Sequence, residues 1–135
     1  MNNKAIDYLV NKWKSVGIES GDTILVHADI KRTLYDLSKR GFKADPNYII
    51  NAFSVLIGTK GTLLMPSFNF DFSSDGHKFD MKKTVSQMGV LSETFRNLSS
   101  TVRTTHPVYS FSVYGENQED YTKYDVATAY GSNSP

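Results

Sequence analysis

Three histidines, His27, His77 and His106, are the side chains of this sequence best suited to take up a proton at neutral pH. The sequence contains no cysteine, which excludes thiol nucleophiles, disulfides and the common structural zinc sites. Because the histidines lie far apart along the chain, we expect no metal site. The chemistry that these residue types suggest is acid-base chemistry by histidine.

His106 lies in the most distinctive run of the chain, where Arg103, His106, Pro107 and Ser110 form an RxxHPxxS pattern. A nearby guanidinium lowers the pKa of a histidine, because it disfavours the imidazolium that a base must become. The pattern therefore favours a structural or positioning role for His106. A role as the general base stays open as the alternative.

The segments that position these residues include two short apolar runs, residues 23–27 and 62–65, which are typical of buried strands. His27 ends the first run, so we expect a core or hydrogen-bonded residue, whereas His77 lies in a turn and should be exposed. A helix is predicted between the two runs. The order strand, helix, strand implies a crossover between parallel strands, with both faces of the sheet covered.

Helical spacing is clear in two places. Residues 6–13 carry apolar side chains one turn apart, and Asp45 with Pro46 provides a cap and a first turn for a second helix that ends at Gly58. Further along the chain, the patterns predict a loop over residues 68–83, a helix over 91–98, a strand over 109–114 and a short helix over 118–124.

These elements predict an α/β protein: a layered α/β/α arrangement around a largely parallel or mixed central sheet. The 135 residues suffice for one compact domain, with 39% hydrophobic residues and a net charge of +1. Such a composition shows no basic excess for nucleic acid, and no apolar run approaches the ~20 residues needed to cross a bilayer. Without a leader-like start, the cytoplasm is the expected location.

Two loops follow the predicted parallel strands, and ligands bind where such loops meet at the carboxyl ends of strands. In the first, residues 27–33, the cations Lys31 and Arg32 suit a phosphate or pyrophosphate, although simple solvation is the alternative. In the second, residues 66–72, aromatic side chains could wall a ligand pocket or serve only for packing.

Several motifs resemble those of the aminoglycoside 3-N-acetyltransferase family. Residues 21–27 are similar to its GDTxLVH strand, 61–66 to its GTLxMP strand and 79–96 to its FDxxxTPSxMGxLxExFR segment, followed by RxxHPxxS and a closing GxxSP at 131–135. Two departures stand out, since Ala28-Asp29 replaces two serines and Val85 replaces a proline. The pieces occur in the family's order, so the resemblance spans nearly the whole chain.

The resemblance implies that acetyl-CoA, as co-substrate, lies across the first loop and along the HP run. It implies donor-side residues Asp29, Ile30, Lys31, Arg32, Arg103, His106 and Ser110, and it suggests amino-sugar contacts from Phe68, Asn69, Phe70 and Asp71. In this family the catalytic base is a histidine on a later segment, which we expect beyond Pro135. We accordingly read residues 1–135 as the N-terminal part of a single domain, truncated at the C-terminus.

Three functional interpretations follow. The first is an acetyl-CoA-dependent N-acetyltransferase acting on an aminoglycoside antibiotic, in a fragment that is inactive alone. The second is an N-acyltransferase for an amino-sugar nucleotide of surface-polysaccharide synthesis, and the third is a non-catalytic CoA-binding fragment. An unpaired sheet edge would then favour self-association or binding of a complementary C-terminal half.

Overall fold

The computed structural model describes residues 2–74, 76–123, 128–132 and 134. In chain order the elements are α1 (Asn3–Lys14), β1 (Thr23–Leu25), α2 (Lys31–Lys39), α3 (Pro46–Ile57), β2 (Thr62–Pro66), α4 (Val90–Arg96), β3 (Val102–Arg103) and β4 (Phe111–Gly115). Two 3₁₀ segments, Asp71–Ser73 and Gln118–Lys123, complete the described structure. Tyr124, predicted to end the last short helix, and Pro135 of the closing motif lie outside the described residues.

The four strands form one mixed sheet with the order β1-β2-β4-β3. β1 and β2 are parallel, with Ile24 opposite Leu63, as the strand, helix, strand pattern predicts. β4 runs antiparallel to both of its neighbours, β2 and β3. The prediction of an α/β protein with a mixed central sheet is therefore confirmed.

The residues predicted to begin and end the second helix do so in α3. The Asp45 carboxylate accepts the backbone N–H of Asn47 at 2.9 Å, and Pro46 occupies the first turn of α3. α3 ends at Ile57 and is capped by Gly58, whose φ of +66° is a conformation that glycine adopts without strain. Most residues of α3 are buried, because the helix packs against α1, α4 and β2.

One apolar core lies on a single face of the sheet. Leu63 and Met65 of β2 contribute to it and are fully buried, together with side chains from all four helices. Trp13 of α1 stacks on Phe53 of α3 with ring centroids 3.9 Å apart. Val113 of β4 is equally buried but is not part of this cluster, so it faces the other side of the sheet.

Two differences from the predicted elements concern the first loop and the first strand. The loop predicted over residues 27–33 ends at Ile30, because α2 begins at Lys31 without a side-chain N-cap that would signal its start. β1 ends at Leu25, which is 61% exposed, so the expectation that both sheet faces are covered is wrong at this strand. The reason is that the side chains of the four helices pack on the other face of the sheet, with Leu63 and Met65, and not on the face of Leu25.

Within the described ranges, each helix is too short or too polar to cross a lipid bilayer. The same part of the chain contains no cluster of three or more side chains that could ligate a metal ion.

Candidate functional site

The two loops and the RxxHPxxS run lie along one edge of the sheet. β1 and β2 both end there, and antiparallel β4 begins there at Phe111, opposite Pro66. Past the end of β2, the Ser67 N–H donates to the carbonyl of Ser110 at 2.8 Å. The carboxyl ends of the parallel strands and the HP run are thus joined into one surface, which we call the loop edge.

A cleft of about 540 Å³ opens at the loop edge between the first loop and the turn that precedes α4. Its lining residues are His27, Ala28, Asp29, Ile30, Lys31, Leu34, Gln87, Met88, Gly89 and Val90. Asp29, Ile30 and Lys31 were predicted for this role from the sequence, whereas the predicted Arg32 is exposed and does not line the cleft.

The cleft combines an exposed cation with an apolar wall. Lys31 Nζ lies 3.9 Å from the Asp29 carboxylate, and both side chains are so exposed that this ion pair is weak. Asp29 also accepts the backbone N–H of Lys31 at 3.0 Å. Leu34, Met88 and Val90 provide apolar surface opposite these charges. Such a mixture suits a ligand with an anionic group and an apolar or neutral chain.

Glu93 of α4 holds the far wall of this cleft in place. Its carboxylate accepts the Ser86 N–H at 2.7 Å and is paired with Arg96, with the closest nitrogen–oxygen distance 2.5 Å. Burial raises the pKa of Glu93, but the hydrogen bonds from Arg96, Ser86 and Asn97 outweigh it and lower the pKa to about 2. The i,i+3 spacing predicts a surface pair, yet the Arg96 side chain is only 6% exposed.

Arg103 lies behind the loop edge as a buried crosslink. Its guanidinium donates to Ser110 Oγ at 2.9 Å and to the carbonyls of Ser67, Met81 and Thr84. Burial, reinforced by the positive charge of Arg96, lowers the Arg103 pKa to about 10 and still leaves the group charged at neutral pH. These contacts direct the guanidinium into the protein, away from the cleft.

Ser110, the last residue of the RxxHPxxS run, is part of the same crosslink. Its hydroxyl donates to the Ser67 carbonyl at 3.0 Å, and the residue is fully buried. The structure therefore brings Arg103 and Ser110 together, but separately from Asp29, Ile30 and Lys31 in the cleft.

Asn69 organises the second loop from a buried position. Its amide donates to the Val85 carbonyl at 3.0 Å, and its side-chain oxygen accepts the Asp71 N–H at 2.9 Å. Asp71 itself is exposed at the start of a 3₁₀ turn. The acceptor at Val85 is its backbone carbonyl, which a proline at this position would provide as well.

The aromatic side chains of the second loop join those of the HP run in a cluster of Phe68, Phe70, Tyr109, Phe111 and Tyr130. Phe68 meets Tyr109 and Phe111 edge-to-face at 5.2 and 5.1 Å, so it serves packing. Phe70 and Tyr130 contact Tyr109 from more exposed positions. A hydrogen bond with Tyr130 raises the Tyr109 pKa.

His106 is buried beside this aromatic cluster, with its ring 5.6 Å from that of Tyr109. Its Nδ1 accepts the backbone N–H groups of Val108 at 3.2 Å and Tyr109 at 2.9 Å. The ring proton of neutral His106 therefore lies on Nε2, and its basic lone pair, on Nδ1, is occupied by these two hydrogen bonds. The predicted low pKa agrees with the structure, but burial causes it, not Arg103.

We expect His106→Leu to lower the free energy of unfolding by about 1 to 3 kcal/mol, because two backbone N–H groups lose their acceptor. His106→Asn should cost less than about 1 kcal/mol, since an amide oxygen can occupy the place of Nδ1. Urea unfolding followed by circular dichroism measures both values. Equal losses in the two variants would contradict an acceptor role for Nδ1.

The predictions for the other two histidines, His27 and His77, have different outcomes. His77 is exposed, as its turn position predicts. His27 is also exposed and lines the cleft, so the prediction of a core or hydrogen-bonded residue is wrong. The strand stops two residues before it, which carries its side chain out of the core.

Gln87, Met88 and Val90 line the cleft although they were not predicted as site residues. The sequence signal for them is the MGxL piece within residues 79–96. It contains no charged or nucleophilic side chain that would indicate a functional site. A larger but shallower depression of about 710 Å³ lies at the opposite edge of the sheet. Its lining includes Glu116, Glu119 and Asp120, which would repel an anionic ligand.

Comparison with known proteins matches residues 25–135 to the family described as Aminoglycoside 3-N-acetyltransferase. Aminoglycoside N(3)-acetyltransferase IV from Salmonella sp is 29% identical over 113 residues, which cover 82% of this chain and 40% of that enzyme. The chain therefore spans about two fifths of the length of this curated relative.

Two solved structures have a similar fold. AAC-IIIb in a binary complex with CoASH has a TM-score of 0.78 at 23% identity, covering 96% of this chain and 53% of that one. A mutant of aminoglycoside acetyltransferase AAC(3)-IVa in complex with gentamicin has a TM-score of 0.69 at 29% identity, covering 84% of this chain and 41% of that one. In both cases the likeness extends over most of this chain.

Proposed function

The chain belongs to the aminoglycoside 3-N-acetyltransferase family, and from this premise we propose that it is the donor-binding part of an acetyl-CoA-dependent enzyme that acetylates an amino group of an aminoglycoside. The observation that carries the proposal is the cleft at the loop edge. It joins the GDTxLVH strand and the MGxL piece, two motifs more than sixty residues apart, in one site.

The residues of the cleft fit the chemistry of a CoA thioester. Lys31 supplies a cation held only by a weak exposed pair, which an anionic phosphate could recruit. At the start of α2 the Asp29 carboxylate accepts the Lys31 N–H, whereas the N-cap residue Ile30 makes no side-chain cap, so the other N–H groups of the first turn still favour negative charge. Met88 and Val90 offer apolar surface to the uncharged arm of the same molecule.

The reaction in this proposal is direct transfer. The amine nitrogen of the acceptor attacks the thioester carbonyl carbon, the carbon–sulfur bond breaks, CoA leaves as the thiolate or thiol, and the amine proton passes to a base. His106 is unsuited to that task because Nδ1 is occupied and Nε2 carries the proton. Following what the family resemblance implies, we assign the base to polypeptide outside these 135 residues, and to His106 a positioning role.

Arg103 and Ser110 act, in this proposal, through the segments that they crosslink. Their bonds to Ser67 and Thr84 fix the second loop and the segment leading to the cleft. The exposed Phe70 and Asp71 lie on the acceptor side, where an aromatic face and a carboxylate suit the ring and the ammonium groups of an amino sugar.

Acetyl transfer is tested with the longest available form of the protein by following release of the CoA thiol. These 135 residues contain no cysteine, and a sample without acceptor measures any thiol background from the rest of the protein. Turnover with kanamycin-type aminoglycosides, and none with UDP- or dTDP-linked amino sugars, would support the proposal. Turnover only with the sugar nucleotides would overturn the aminoglycoside assignment and favour the polysaccharide alternative.

We expect Lys31→Ala to weaken CoA binding by this chain about fivefold, the size expected for one solvent-accessible ion pair. Isothermal titration calorimetry with CoA at low ionic strength measures the change. Lys39→Ala, at the other end of α2, is the matched control and should leave the affinity unchanged. No heat with millimolar CoA for the unmodified chain would remove the donor site from the proposal.

A further inference from the structure

The turn that precedes α4, residues 86–89, is shared by two parts of the loop edge. On one side of the turn, Gln87 and Met88 line the cleft. On the other side, the Gln87 N–H donates to the Phe68 carbonyl at 2.8 Å, and Gln87 Oε1 accepts the Phe70 N–H at 2.9 Å. Gln87 therefore forms part of the cleft wall and is also bonded to the second loop.

The backbone of this turn is held by bonds that do not involve the Gln87 side chain. The buried Ser86 hydroxyl donates to the Pro66 carbonyl at 3.3 Å and accepts the Met88 N–H at 3.2 Å. The Ser86 N–H is held by the Glu93 carboxylate. Gln87 itself is exposed. Its side chain is accordingly the part of the turn that a ligand in the cleft can restrain.

The bond from Gln87 reaches the second loop at the residues proposed above for the acceptor side. The Phe70 N–H has its acceptor outside the loop, at Gln87 Oε1. The next N–H, that of Asp71, has its acceptor inside the loop, at Asn69 Oδ1, 2.9 Å away. Both Phe70 and Asp71 are exposed. The position of Phe70 thus depends on the cleft wall, whereas that of Asp71 depends on the loop itself.

An exposed glutamine side chain that becomes ordered loses rotamer freedom. When one partner has already ordered the side chain, a second partner binds it at a lower entropic cost. Two contacts that use the same ordered side chain therefore favour each other, and the effect is reciprocal. A ligand that restrains Gln87 in the cleft should for this reason strengthen its bond to the Phe70 N–H.

We propose that Gln87 is a positioning residue that couples the cleft to the second loop, so that a bound donor holds the Phe70 backbone in place for the acceptor. This role rests on the proposed donor site and deepens it, because it gives donor binding an effect on the acceptor side. Arg103 also bonds to this region, through the Ser67 carbonyl. Its guanidinium is directed away from the cleft, so it does not respond to a ligand there.

Amide hydrogen exchange of the 135-residue chain, with and without saturating CoA, tests the coupling. CoA should slow exchange of the Phe70 N–H about fivefold, the lower end of ordinary coupling between two sites. The variant Gln87→Leu has no acceptor for this N–H, so CoA should bind to it without slowing exchange at Phe70. The Asp71 N–H, bonded within the loop, is the internal reference and should respond little to CoA in either protein.

A second variant, Gln87→Glu, separates the acceptor from the rest of the side chain. A carboxylate oxygen can accept the Phe70 N–H, so this variant should keep the effect of CoA at Phe70. Its negative charge weakens CoA binding, and saturation then takes more ligand. If Gln87→Leu changed exchange at Phe70 by the same factor with and without CoA, Gln87 would have only a structural role and the proposal would be overturned.

Calorimetric titration of the same samples with CoA keeps this proposal apart from the donor site. If CoA binds to the unmodified chain but leaves exchange at Phe70 unchanged, the coupling by Gln87 is overturned and the donor site stands. If CoA does not bind to the unmodified chain, the donor site fails and the coupling fails with it.

Discussion

Replacing Arg103 by methionine is expected to lower the free energy of unfolding by about 3 to 5 kcal/mol, the largest effect of any single change that we foresee. Methionine fills a similar volume but donates no hydrogen bond. The carbonyls of Met81 and Thr84 and the hydroxyl of Ser110 would lose their donor, whereas the Ser67 carbonyl would keep its bond from Ser110. Urea unfolding at pH 7 measures the loss.

Two matched variants separate this crosslink from the charge alone. Arg103→Lys keeps the cation but not the planar fork, so we expect roughly half of the loss. Arg40→Met removes an exposed arginine paired with Asp36 and should cost less than about 1 kcal/mol. If Arg103→Met were as mild as Arg40→Met, the assignment of Arg103 as the support of the loop edge would be wrong.

Glu93→Gln is expected to lower the free energy of unfolding by about 2 to 3 kcal/mol at pH 7 and to move the wall of the cleft. The amide keeps the shape of the carboxylate but loses the charge that binds Arg96 and the Ser86 N–H. Because Ser86 precedes the turn that lines the cleft, the variant should also weaken CoA binding. Urea unfolding and calorimetric titration give the two values.

The pH dependence of this difference has a definite sign. The Glu93 pKa of about 2 in the folded chain lies below its ordinary value of 4.5, so its stabilisation is complete above pH 4.5. It is lost as the pH falls towards 2, and the two proteins should then have nearly equal stability. Glu19→Gln, at an exposed position, should parallel the unmodified protein throughout. A difference independent of pH would contradict the assignment.

Much of the fold is predictable because its signals are local. The Asp45-Pro46 cap and the apolar spacing that follows specify α3 within a few residues, and the run 62–65 specifies β2. The sequence did not predict α2, because Ile30 at its start provides no side-chain cap and its polar first turn is typical of a loop. Its helical state depends on Leu37, which is buried in the core, and on contacts such as Tyr8 with Asp36.

The site was predictable only in part. The motifs indicate which segments meet, and the sheet does place the first loop and the HP run on one edge. They do not indicate the direction of a side chain. The resemblance implies that both Arg103 and Lys31 are donor-side residues, yet the Arg103 guanidinium is enclosed by carbonyls, while Lys31 lines the cleft.

The sequence by itself determined the α/β class, the parallel pairing of the first two strands and the family, because these depend on spacing along the chain and on the order of short motifs. Only the tertiary structure decided which polar groups are available for chemistry. His106, Arg103 and Glu93 acquire their roles from hydrogen bonds to Tyr109, Ser67 and Ser86. Burial and hydrogen-bond geometry arise between segments distant in sequence, so no local pattern encodes them.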